Sequence, residues 1–186
     1  MTDSLLPAHT DQTSMPQAAR DKLHLGFLRI VATEAGYVGG MLVTNRLGRP
    51  LEFQCTTPVK ANRTQEILYG PTLKPFLFSE LIGVTLIDRL QVKPDIVLID
   101  QQALLDLRKH VSLPIACLLE DAKDSHDLPD ESRVSLGAQS LQVHVEHTCD
   151  VEAIQQWTGT IPGDADLREP LDRVREALEE TLRSAA

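Results

Sequence analysis

Aromatic residues are scarce in this chain, with one Trp, two Tyr and four Phe among 186 positions, so a broad base-stacking platform is not an obvious feature. Cysteine is scarce as well. Cys55, Cys117 and Cys149 are widely spaced and form no CxxC pair, which argues against a disulfide framework or a zinc knuckle and suits a reducing, cytoplasmic setting. No stretch approaches the roughly 18 consecutive apolar residues of a membrane span. The N-terminus carries Asp3, Asp11 and Asp21 where a signal peptide needs a basic region and an apolar core. Membrane insertion and secretion are therefore not expected. Positive charge is in deficit too: 18 Lys plus Arg against 27 Asp plus Glu give a net charge of -9. A polyanionic partner would need a local basic patch. There is no G-x-S-x-G nucleophile elbow, and Gly36-Tyr37-Val38-Gly39-Gly40 lacks the lysine and the following helix of a phosphate-binding loop.

What is present is enough apolar sequence, 42% of residues, for a folded core. Residues 1–21 are polar, broken by Pro7 and Pro16, and read as a flexible tail; 22–163 read as a single α/β domain and 164–186 as a C-terminal amphipathic helix. Leu23–Ala32, Tyr37–Thr44 and Pro50–Thr56 are apolar or alternating runs separated by turn residues, a three-strand meander in which Leu51, Phe53 and Cys55 should share the packed face. Asn62 or Thr64 can cap a short helix to Tyr69, and Thr72 a longer one, Leu73–Leu90, whose broad apolar stripe predicts cover on two sides. Ile96–Ile99 (IVLI) is a continuous branched run, the pattern of a parallel strand buried on both faces. Gln101–His110 reads as the crossover helix and Leu113–Leu119 as the next parallel strand. The acidic stretch Glu120–Glu131 reads as a loop, Ser140–Glu146 as a late strand and Val151–Trp157 as a short helix. Leu167, Leu171, Val174, Leu178 and Leu182 then form one stripe of a helix that docks on the domain or on a partner.

The resulting class is α/β: a mixed sheet with an N-terminal antiparallel meander followed by parallel βαβ crossovers. That order resembles the ribonuclease H-like fold. Within it, PDIVLID at Pro94–Asp100, placed between a long apolar helix and a further helix and strand, resembles the central strand on which the endonuclease V group ends in a metal-binding aspartate. The resemblance covers roughly residues 23 to 119. It implies a nuclease in which clustered carboxylates hold magnesium, with Asp100 as the anchor; Glu34, Glu52, Glu80 and Asp150 could be recruited as substitutes to complete the set. It also calls for an aspartate on the first strand, where Leu25–Ala32 offers Arg29 instead.

The residues themselves suggest quieter roles. Asp100 can cap the helix that follows it. His144, Glu146, His147 and Cys149 are zinc-type side chains, but neither a strand nor a helix points them to one place, so a polar surface is the better reading. Cys117 lies in an apolar strand with no neighbouring charge to activate it. Arg46, Arg49, Lys60 and Arg63, with Tyr69 nearby, form the basic segment of an otherwise acidic chain and are the candidates for nucleic-acid contact. Together these features suggest a cytoplasmic binding or regulatory module acting through protein contacts or self-association, without a cofactor. The surfaces expected to carry it are the C-terminal helix and the basic hairpin. A metal-dependent nuclease of ribonuclease H-like shape, or a nucleic-acid-binding protein, is the alternative; magnesium belongs to that nuclease alone.

Overall fold

The strand-forming runs meet in one sheet. The computed structural model describes residues 22–120 and 129–184; the tail expected over 1–21 and most of the acidic stretch Glu120–Glu131 lie outside them. β1 (His24–Thr33), β2 (Gly36–Asn45) and β3 (Pro50–Cys55) form the antiparallel meander. β4 (Ile96–Ile99) and β5 (Ile115–Leu118) run parallel to β1, and β6 (Arg133–Leu136) and β7 (Gln139–Val143) close the far side as an antiparallel hairpin. The order is β3-β2-β1-β4-β5-β7-β6, a mixed seven-stranded sheet of the ribonuclease H-like kind. Ile96, Val97, Leu98 and Ile99 are all 0% exposed, as a strand between two parallel neighbours and two covered faces requires. β6 is missing from the sequence-based expectation, and β7 stops before His144 rather than running to Glu146.

Helices cover both faces. α1 (Arg63–Tyr69) begins at a capping box in which the Asn62 side chain accepts from the Gln65 N–H and the Gln65 side chain accepts from the Asn62 N–H. After a 3-10 turn, Gly70–Thr72, comes the helical run α2, residues 73–89, built from Leu73–Pro75, a π-helical Phe76–Gly83 and Val84–Arg89. The crossover from β4 to β5 is a 3-10 helix, Gln102–Lys109. α3 (Cys149–Gln155) and α4 (Glu169–Ser184) follow β7. Leu77, Phe78, Ile82 and Leu86 of α2 pack with Leu104 and Leu107 on the face bearing Leu28, Val97 and Ile99. Ile154 of α3 and Leu171, Val174 and Leu178 of α4 pack on the face bearing Phe27, Leu98 and Ala116.

Two adjacent glycines allow this double cover. A Cβ on Gly39 would collide with Ile82 Cγ2, and one on Gly40 would lie 2.9 Å from Val174 Cγ1, so each face of β2 needs a glycine where a helix crosses it. Two expectations are corrected here. The apolar stripe of α4 is buried on its own sheet, which removes the surface on which self-association or a protein partner was expected. On β3, Leu51 and Phe53 remain 42% and 36% exposed, because an edge strand has a neighbour on one side only. Among the described residues no helix is long and apolar enough to cross a membrane.

Candidate functional site

In an open sheet with parallel strands, side chains leave the core at the carboxyl ends of those strands. Here that place lies just past the register pair Leu28–Ile99, where Arg29 of β1 and Asp100 after β4 are lateral neighbours on the α4 face. Arg29 Nε sits 3.2 Å from Asp100 Oδ2, and its Nη1 donates to Asp172 Oδ1 at 3.0 Å and to the Leu171 carbonyl at 3.4 Å. Arg168, just before α4, donates to the Leu119 carbonyl at 2.6 Å and lies 4.0 Å from Glu120. Gln101 holds the strand end: its Oε1 accepts from Ile30 N–H and its Nε2 donates to the Ile30 carbonyl, extending the ladder past the point where β4 stops. The expected cap is therefore corrected. Gln101 occupies the N-cap position, no side chain caps the helix, and the Asp100 carboxyl turns to Arg29 instead.

Burial raises the pKa of Asp100, and the opposing charge of Arg29 does not fully offset it. Its Oδ1 is buried without a hydrogen-bond partner. Because the folded pKa lies above the ordinary 3.8, the cost of holding the carboxylate is absent in acid and grows as pH rises through that folded value. Asp100→Asn is thus expected to melt at a higher temperature than the parent at pH 7, the difference shrinking toward pH 4, in thermal melts across that range. A difference that grows toward acid would contradict this account. Burial, then the Asp100 charge, pushes the Cys117 thiol up to about 12, so it is no nucleophile.

The other carboxylates do not converge on Asp100. Glu34 lies in the β1–β2 turn, well beyond Arg29, beside a cleft it shares with Lys60 and Glu66. Glu52 is level with Gly26 and Val97 but three strands from β4, about 14 Å at ordinary strand spacing, and toward the amino ends. There it accepts from Val92 N–H at 2.7 Å and Gln91 N–H at 2.9 Å, and the Val92 N–H, then Gln54, holds its pKa below the usual range. Asp150 is clasped by Arg108 near the amino end of β5, with Arg108 Nε 2.7 Å from Oδ2 and Nη2 3.1 Å from Oδ1. His144 is 8% exposed rather than a surface residue; its Nδ1 accepts from Glu146 N–H and its Nε2 lies 3.4 Å from Asp106. Among the described residues no group of three or more His, Cys, Asp or Glu is placed to hold a metal ion. A cationic guanidinium stands between Asp100 and Asp172, so these residues do not fit the magnesium that the family resemblance implies.

The basic candidates separate as well. Arg46 and Arg49 sit in the β2–β3 turn near the amino end of β1, while Lys60 and Arg63 follow β3 beyond the Tyr37–Val59 bridge at the opposite end. One shared surface for all four is corrected to two. The second has company that local sequence patterns do not reveal. α1 has no buried residue; Lys60, Arg63 and Lys74 are exposed around it, and Tyr69 stacks on Phe76 with ring centroids 4.5 Å apart. That aromatic pair borders a cleft of about 380 Å³ whose far wall carries Lys109 and His110, held by Asp106 and Glu80 respectively.

No protein-family model matches the chain, and no curated protein does. Solved structures do. Endonuclease V of Ciona intestinalis in complex with a 24mer DNA containing an inosine followed by a ribo-adenosine is 10% identical, with 86% of this chain and 87% of that one covered at a TM-score of 0.49. Endonuclease V of Streptomyces avermitilis is 14% identical over 86% and 82%, TM-score 0.48, and that of Bacillus subtilis 10% identical over 88% and 83%, TM-score 0.47. The resemblance read from Pro94–Asp100 is thus to the same group of structures, and the likeness is one of fold. The expectation of a regulatory module working through protein contacts is overturned by these matches, which are nucleases.

Proposed function

We propose that the chain binds single-stranded nucleic acid in the cytoplasm and does not cut it. The observation that carries this reading is the Tyr69–Phe76 stack on an exposed edge of the face that also carries the exposed Lys60, Arg63 and Lys74 on and next to α1 and α2. An unstacked base would find an aromatic face there, and the three exposed cations of α1 and its neighbouring segments suit the phosphates of the same strand. Glu66 pairs with Arg63 and is the one acidic side chain of α1. The rest of the acidic chain repels a polyanion, which would confine contact to this edge. Arg29 stands where the resemblance calls for a carboxylate, which argues against cleavage. The cytoplasmic setting is supported by three unpaired cysteines.

Fluorescence anisotropy with labelled oligonucleotides of about 12 nucleotides tests the binding. The full chain should bind with a Kd of about 1–100 µM at low salt, weakening as salt rises. Replacing Lys60, Arg63 and Lys74 together by alanine should weaken binding at least about tenfold and flatten the logarithmic salt slope by about 2. Tyr69→Ala should cost about 1–3 kcal/mol with little change in that slope. Equal binding by the parent and the triple variant, or none by the parent, would overturn the proposal.

A further inference from the structure

We propose that Arg29 acts as a built-in cation: its guanidinium, carried by the middle of β1, occupies the position just past the carboxyl end of β4 where this architecture would otherwise admit a divalent ion. The parent chain therefore takes no divalent ion there, and removing the guanidinium opens a site for one.

The oxygen set around Arg29 supports this. The side chain gathers a carboxylate oxygen of Asp100 from β4, one of Asp172 from α4 and the Leu171 carbonyl, at 3.2, 3.0 and 3.4 Å. Carboxylates and a backbone carbonyl from separate elements are what a hard cation collects. Here planar N–H donors meet them, and their direction matters in a way that a spherical ion's does not. The replacement is incomplete: Asp100 Oδ1 is buried and has no partner, an acceptor that the fork of Arg29 does not reach. Arg168 supplies a second positive charge nearby through Leu119 and Glu120, which further disfavours a divalent ion in the parent. A guanidinium differs from a metal in three consequences. It does not exchange with solvent, it coordinates no water to be activated, and it ties α4 to the interior strand β1 through Asp172.

The idea does not rest on nucleic-acid binding and is tested without any nucleic acid present. Full-length parent, Arg29→Asp, Arg29→Gln and the double variant Arg29→Asp with Asp100→Asn are titrated with Mn2+ alone. Free ion is followed by electron paramagnetic resonance, and thermal melting is recorded with and without the ion. The parent should show no saturable binding below about 1 mM and no rise in melting temperature. Arg29→Asp should bind about one equivalent and melt several degrees higher with the ion, both effects disappearing in the double variant. Arg29→Gln removes the charge without adding a third carboxylate and should bind more weakly but measurably; it decides the question if Arg29→Asp does not fold. Saturable binding by the parent that Asp100→Asn abolishes would overturn the proposal. So would an absence of binding in a folded Arg29→Asp variant, or in a folded Arg29→Gln variant where Arg29→Asp fails to fold.

Discussion

Leu98→Ala is expected to lower unfolding stability by about 3–5 kcal/mol, the range for removing a core leucine whose surroundings cannot collapse. Leu98 is 0% exposed, pairs by register with Phe27 on one side and Ala116 on the other, and belongs to the cluster closed by α3 and α4. Backbone ladders fix both neighbouring strands, so little can move into the space left behind. Urea denaturation should show a lower midpoint with an unchanged slope, since the surface exposed on unfolding stays the same. Leu81→Ala serves as the contrast. Leu81 is 40% exposed on α2, and its loss should cost less than about 1 kcal/mol. If Leu98 proved as dispensable as Leu81, β4 would not be the interior strand on which the architecture depends.

Arg108→Ala should be of similar severity, about 3–5 kcal/mol, because it strands a buried carboxylate. The Asp150 side chain is 4% exposed and takes two hydrogen bonds from Arg108, which also donates to the Val111 carbonyl at 2.8 Å. Without the guanidinium, the buried Asp150 carboxylate loses its partner and is left away from water. Replacing both partners by leucine should cost less than Arg108→Ala alone, since the penalty comes mainly from the orphaned charge. Chemical denaturation of the two variants at pH 7 separates the cases. A mild effect of Arg108→Ala would mean that Asp150 is solvated and available for other chemistry, contrary to the structural role assigned to it.

The contrast between β4 and the carboxylates shows what a linear sequence carries. Four consecutive branched or leucine residues allow no polar face, so burial on both sides of β4 follows from the residues alone. The stripe on α4 is equally plain, but a stripe says that a face is covered, not by what; its docking on β1 and β2 depends on Gly40 and on contacts far apart in the chain. β6 leaves little signal in the sequence, because Arg133–Leu136 is four residues long, buries only Val134 and Leu136 and emerges from an acidic stretch. Glu34, Glu52 and Asp150 are plausible ligands by residue type. Strand direction disperses them: β3 runs parallel to β1 and carries Glu52 toward the amino ends, and β7 runs antiparallel to β5 and delivers Asp150 to the same side. The wrong sign of Arg29 is legible in the sequence; its hold on Asp172, far along the chain, is not. Likewise Tyr69 is visible as a lone aromatic, whereas the cleft it forms with Phe76, Lys109 and His110 exists only once α1, α2 and the crossover helix meet.

We propose that this mixed sheet, with Arg29 in its first strand beside the end of β4, holds nucleic acid without cleaving it. One incubation tests both halves: end-labelled single-stranded DNA and RNA are mixed with the full chain in Mg2+ or Mn2+, and each sample is split between a native and a denaturing gel. Retarded strands are expected on the native gel and full-length strands on the denaturing one, with or without chelator. Strands shortened in the presence of metal, and spared by chelator and by Asp100→Asn, would contradict the proposal, as would strands that the protein fails to retard.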